Sequence, residues 1–260
     1  MEHDERLRHA SSFGAAATSY AENRPDYARA AVRWALDDPA PGMRVLDLGA
    51  GTGKLTGTLA AMGTDVTAVE PDPAMLTELR RALPGVRALP GSAEAIPLPD
   101  ASVDAVLAGN AMHWFDMTVA GPEIARVLVP GGTLAGLWNV VDDRVDWVAG
   151  LARVSGSAAI GPRDTPTGWR AETAEAHLPG TGGAARFGSP EQAEFPHGQR
   201  RTADSLVAAL ATRAGVLVMP ERERQVTLDR IRAFLAGESE TADGEFTLPM
   251  LTCVLRVRRL

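Results

Sequence analysis

Val45-Leu46-Asp47-Leu48-Gly49-Ala50-Gly51-Thr52-Gly53-Lys54 joins a short apolar run, an acid near its end and a Gly-x-Gly-x-Gly turn. A continuous apolar run suits a strand buried on both faces. The glycines let the backbone turn tightly and approach a ligand closely. Residues 53–62 then read as a helix, whose first turn offers free N–H groups. Glu70 lies 23 residues after Asp47, at the end of the next apolar run, 65–72 (DVTAVEPD). A carboxylate in that position can accept both hydroxyls of a ribose, as in dinucleotide-binding folds.

The alternation continues outward from this unit. A helix over 73–83, strands over 86–91, 103–110 and 133–140, and a helix ended by Pro130 and Gly131 predict βαβ units and a parallel sheet. Upstream, residues 25–37 (PDYARAAVRWALD) open on a proline and carry Tyr27, Ala31 and Trp34 at helical spacing, so a helix is expected there. Downstream the pattern changes. Helices are expected over 143–155, 203–213 and 220–236, two short ones within 156–183, and strands over 190–201 and 246–259. The expected architecture is α/β and Rossmann-like, with a seven-stranded, mostly parallel sheet flanked by helices. The whole chain, 1–260, is expected to be one domain. Residues 43–140 would form its cofactor-binding core, 1–40 and 141–185 a lid and helical cap, and 186–260 a C-terminal strand pair with helices.

Composition narrows the function. Of 260 residues, 45% are apolar and 23% charged, too apolar for a disordered chain. The net charge of −7 lacks the basic footprint of a nucleic-acid binder. No apolar run approaches the roughly 18–20 residues that span a membrane. The charged stretch 1–12 has no apolar signal segment, and Cys253 alone cannot make an internal disulfide. A cytoplasmic protein is expected, with neither nucleic acid nor membrane as partner. Lys54 is the single lysine among 26 basic residues, and asparagine occurs only at 23, 110 and 139, a bias expected of a GC-rich bacterial genome.

Spacing excludes several chemistries. The glycines do not fit the G-x-G-x-x-G fingerprint of NAD-binding folds. Lys54 is followed by leucine, so the phosphate-binding loop G-x-x-x-x-G-K-[ST] is absent and Lys54 reads as a solvated first-turn residue. No metal-ligand spacing appears, and the G-x-S-x-G elbow of a serine hydrolase is missing.

The pattern D-x-G-x-G-x-G with Glu70 following closely resembles the first two motifs of the class I S-adenosylmethionine-dependent methyltransferases. Gly91-Ser92-Ala93-Glu94, the lead-in 96–104 (IPLPDASVD) and the turn 126–134 (RVLVPGGTL) extend the resemblance over about 43–140. Phe13, Tyr20, Arg24-Pro25-Asp26-Tyr27 and 110–115 (NAMHWF) resemble a small-molecule branch that includes trans-aconitate-type enzymes. The resemblance implies that Gly49, Ala50, Gly51 and Gly53 approach the methionine and ribose portions of S-adenosylmethionine. Asp47 would orient its amino group or cap the helix start, and Glu70 would take the ribose diol. Pro71, Asp72 and Met75 would lie beside the adenine, and Ser92, Ala93 and Glu94 would meet its edge. Asn110 would complete the cofactor site. Arg24 would pair with the cofactor carboxylate or sit on the surface, and Tyr20 would cover the cofactor or pack in the core.

His113 is the candidate catalytic residue. It lies past the fourth strand, at the carboxyl end where open α/β sheets bind ligands. A neutral imidazole there can accept a proton from the attacking group, or shape the pocket instead. Trp114, Phe115, Trp138 and Asn139 would wall the acceptor pocket or contribute to the core. Two rivals stand beside methyl transfer: another reaction on the same cofactor, such as a cyclisation, and a non-catalytic binding subunit.

Overall fold

The computed structural model describes residues 23–173, 178–179 and 187–260. They fall into two compact units. The first is made of residues 26–138, 178–179, 187–195 and 252–260, and the second of 23–25, 139–173 and 196–251.

Among the described residues, seven strands form one sheet in the order β3-β2-β1-β4-β5-β7-β6. They are β1 (Arg44–Leu48), β2 (Asp65–Glu70), β3 (Arg87–Pro90), β4 (Val103–Gly109), β5 (Leu128–Val141), β6 (Glu191–Thr202) and β7 (Glu245–Arg258). β1 pairs in parallel with β2 and β4, β2 with β3, and β4 with β5. β7 runs against β5: Gly131 donates its N–H to the Arg259 carbonyl near one end, and Asp142 to that of Pro249 near the other. The expected seven strands and their mostly parallel arrangement are therefore present.

Local chemistry sets the helices of the first unit. α1 (Arg29–Leu36) starts four residues later than Pro25 suggests, because Ala28 is still extended and its N–H goes to the Thr252 hydroxyl at 3.0 Å. α2 (Lys54–Ala60) follows Gly53 directly. α3 (Pro73–Ala82) is capped by Asp72, whose Oδ1 accepts from Ala74 and Met75, with Pro73 at the position a first turn favours. α4 (Met117–Val127) is capped by Asp116. The strand after it begins at Leu128 rather than Thr133. Pro130 and Gly131 do not break it, since Gly131 and Gly132 pair with Arg259. Tyr27, Ala31, Val32 and Leu36 pack with Val45, Leu59, Leu107 and Val254 in the core of this unit.

The second unit holds α5 (Asp146–Ser155), α6 (Pro166–Thr173), α7 (Ala203–Ala211), α8 (Ala214–Leu217) and α9 (Glu221–Gly237). Its core gathers Trp147, Leu151, Leu206, Leu210, Ile231 and Phe246. Among the described residues, no helix is long and apolar enough to cross a membrane.

Candidate functional site

The glycine turn is built by its own backbone. Gly49 and Ala50 both donate to the Val69 carbonyl, at 2.9 and 3.1 Å, and Gly53 donates to Ala50. Gly49 and Gly51 have φ of 71° and 57°, the left-handed region that side chains avoid. A Cβ on Gly49 would also come within 2.8 Å of the Ala111 Cβ, with the Phe115 ring 3.5 Å away. Among the described residues, a Cβ on Gly51 would meet nothing within 4 Å, so they leave the face of the loop open there.

Two buried carboxyls stand behind that face. Glu70 accepts from the Gly51 N–H on Oε2 at 2.8 Å and from the Asp72 N–H on Oε1 at 2.9 Å. Each oxygen keeps a second lone pair. Burial raises the Glu70 pKa, and the two N–H bonds oppose that rise. Asp47 is fully buried; its Oδ2 accepts the Thr56 hydroxyl at 2.6 Å, while Oδ1 has no partner. Burial pushes the Asp47 pKa up to about 7, against the Thr56 bond and helped by the Glu70 charge. A buried acceptor without a donor costs about 1–3 kcal/mol, so this atom is chemically incomplete. The buried Thr52 hydroxyl lacks a partner as well.

The other expected residues of the first unit follow in chain order. Pro71 is exposed, the Asp72 side chain is committed to capping α3, and Met75 is buried at the first turn of that helix. Ser92 bridges Ala95, Ala93 is buried, and Glu94 Oε1 accepts the Asp116 N–H at 3.0 Å. Asn110 follows β4 with φ of 50°, fixed by its N–H to Leu137 at 2.7 Å. His113 is half-buried in a single 3-10 turn, its ring tilted 45° against Trp114 at 4.8 Å. Trp138 is buried against Gly136, alongside Met112.

Two expected residues belong to the second unit. Arg24 donates to the Thr212 carbonyl at 3.0 Å, and Asn139 is buried with its amide toward the Pro25 carbonyl at 3.4 Å. Tyr20 lies outside the described residues. Lys54 is ion-paired rather than simply solvated, 3.4 Å from Asp26.

Two residues escape sequence reasoning: Thr52 and Thr56 stand out only through their burial. Tyr27 is buried in the core as its spacing predicts, though just ahead of α1 rather than in it, with its hydroxyl 2.5 Å from where a Gly109 Cβ would be.

A family model described as a methyltransferase domain matches residues 46–136. An uncharacterised methyltransferase of Mycobacterium tuberculosis is 42% identical over 246 residues, 94% of either chain. An uncharacterised methyltransferase-like protein of Schizosaccharomyces pombe is 34% identical over 82% of either chain. The solved structure of a putative type II methyltransferase from Anaeromyxobacter dehalogenans matches with a TM-score of 0.62 and 29% identity, over 91% of this chain and 97% of that one.

Proposed function

Because the chain belongs to the class I S-adenosylmethionine-dependent methyltransferases, we propose that it methylates an oxygen, nitrogen or carbon nucleophile of a small molecule. The observation that carries the cofactor assignment is the buried, donor-less Asp47 Oδ1 behind an open glycine face, with Glu70 beside it. An ammonium group is the donor that a buried carboxylate oxygen lacks, and a ribose diol fits the two lone pairs left on Glu70. Asp47 would therefore hold the cofactor's amino group and Glu70 its ribose, with Gly49, Ala50, Gly51 and Gly53 passing beneath. The Thr52 hydroxyl would donate to the cofactor's methionine portion. Pro71, Met75, Ser92, Ala93 and Glu94 would enclose the adenine, and Asp72 would hold the start of α3 in place. Asn110 would contribute from the end of β4.

The cofactor supplies a methyl group activated by a sulfonium. The chain supplies alignment, which alone can provide much of the acceleration. His113 would take the proton of the attacking group. Trp114, Phe115 and Trp138 would line the acceptor pocket. The extreme preference for arginine over lysine supports a GC-rich bacterial source, and with it a cytoplasmic tailoring step on a secondary metabolite. The intact Asp47, glycines and Glu70 favour this reading over a non-catalytic subunit.

Calorimetry with S-adenosylhomocysteine tests the cofactor site: binding is expected, and its absence overturns the reading. Once an acceptor is found by release of S-adenosylhomocysteine, His113→Ala is expected to cut turnover about 100-fold or more with little change in cofactor affinity. Unchanged turnover removes His113 from the mechanism.

A further inference from the structure

The connection between β3 and β4, residues 91–102, has little regular structure of its own, yet it carries Ser92, Ala93 and Glu94. Its order comes from α4. Arg126, in the last turn of that helix, uses all five of its N–H donors. Nε and Nη2 fork onto Glu123 at 2.8 Å each. Nη1 reaches the Leu98 carbonyl at 2.8 Å and Asp100 at 2.9 Å, and Nη2 also reaches the Ile96 carbonyl at 3.0 Å. Glu123 accepts the Ile96 N–H at 3.1 Å. At the other end of the helix the Asp116 N–H donates to Glu94, while at the Arg126 end Ala101 and Ser102 donate to the carbonyls of Arg126 and Val127. The connection is thus pinned to α4 at 94, 96, 98, 101 and 102.

We infer that Arg126 and Glu123 are positioning residues for the adenine of the cofactor, acting through the segment they pin without touching the ligand. The inference rests on the reading of Ser92–Glu94 as the adenine loop. A connection of this kind, if loose, would lose backbone freedom on ordering. A ligand that must order it binds more weakly by that cost. The Glu123 pair is a bidentate, charge-assisted fork that lysine cannot reproduce while also serving two carbonyls. Its strength shows in the Glu123 carboxyl, which the Arg126 guanidinium holds below the usual range. Asp100 differs: its side chain is 80% exposed and it holds no backbone group of the connection.

The experiment compares wild type with Arg126→Lys, Glu123→Gln and Asp100→Asn, by calorimetry with S-adenosylhomocysteine and with adenosine. Each variant is first shown to be folded by circular dichroism. Arg126→Lys and Glu123→Gln are expected to bind both probes about tenfold more weakly, by the same factor, because ordering cost falls on the adenine side. Asp100→Asn is expected to bind as wild type, since exposed pairs contribute little. Folded Arg126→Lys and Glu123→Gln that bind like wild type overturn the inference. So does a loss confined to S-adenosylhomocysteine, or an equal loss in Asp100→Asn. Should Arg126→Lys fail to fold, Glu123→Gln decides alone. Wild type that binds neither probe overturns the adenine-loop reading itself, and the inference with it.

Discussion

Asp47 is the residue whose chemistry governs the site. In the ligand-free protein its carboxyl holds a proton up to about pH 7, whereas in the unfolded chain it ionises near pH 4. Between those values the folded state carries a proton that the unfolded state has released, so folding stability falls as pH rises across that window. Glu70, also raised by burial, acts in the same direction. Carboxylates held low by arginine, such as Asp104 and Asp142, have finished contributing by pH 5. Differential scanning of the ligand-free enzyme should therefore show a lower melting temperature at pH 8 than at pH 5.5. Asp47→Asn should flatten that dependence and melt above wild type at pH 8. The same variant should bind S-adenosylhomocysteine about ten- to a hundredfold more weakly, through loss of one charge-assisted bond. Wild-type affinity should itself rise with pH up to about 7, as the ammonium comes to face an ionised carboxylate. A pH-independent affinity would place the amino group elsewhere.

At the scale of elements, the glycine turn separates two demands on one loop. Gly49 is squeezed against Ala111, and among the described residues nothing lies within 4 Å of where a Gly51 Cβ would be. Gly49→Ala should cost about 2–4 kcal/mol, adding a steric clash to a left-handed backbone. Gly51→Ala should cost only the backbone share, about 1–2 kcal/mol, yet abolish measurable cofactor binding because its methyl fills the open face. Urea denaturation and calorimetry on the two variants separate these outcomes; a Gly51→Ala protein that binds normally would move the cofactor off this face. The contrast also shows what a linear reading can see. β1 and β2 were legible because strands buried on both faces are continuously apolar, and Asp47 and Glu70 because acids interrupt those runs at their ends. The start of α1 was not, since the group that delays it is Thr252, 224 positions away. The early start of β5 was hidden for the same reason: Pro130 and Gly131 signal a stop, and only pairing with Arg259 overrides it. Thr52 and Thr56 are ordinary helix-start residues until burial makes their hydroxyls count.

At the scale of the whole molecule, the first unit joins early and late parts of the chain. α1 is gripped by the last strand: Thr252 takes the Ala28 N–H, and Arg258 pairs with Asp37 at 2.8 Å. Arg256, only 8% exposed, donates to the Trp34 carbonyl, pairs with Glu191 at 2.9 Å and lies 4.0 Å over the Trp34 ring. This grip places Tyr27 against Gly109 and Asp26 against Lys54, so the segment leading into the glycine turn is braced by residues from the opposite end of the sequence. Arg256→Met keeps most of the side-chain volume and removes the polar grip. It removes one of two donors to the Trp34 carbonyl, the Asp37 N–H remaining at 3.2 Å, while half-exposed Glu191 can rehydrate. The expected cost is about 2 kcal/mol, read as a lower urea midpoint with an unchanged slope. Limited proteolysis should then cut within 26–37 before any site in β1 or β2, because the helix loses its tether while the parallel strands keep theirs. Affinity for S-adenosylhomocysteine should stay within about twofold of wild type, since neither Asp47 nor Glu70 depends on Arg256 for a hydrogen bond. First cleavage elsewhere, or a stability equal to wild type, would show that apolar packing of Ala31, Val32 and Leu36 holds α1 without the arginine.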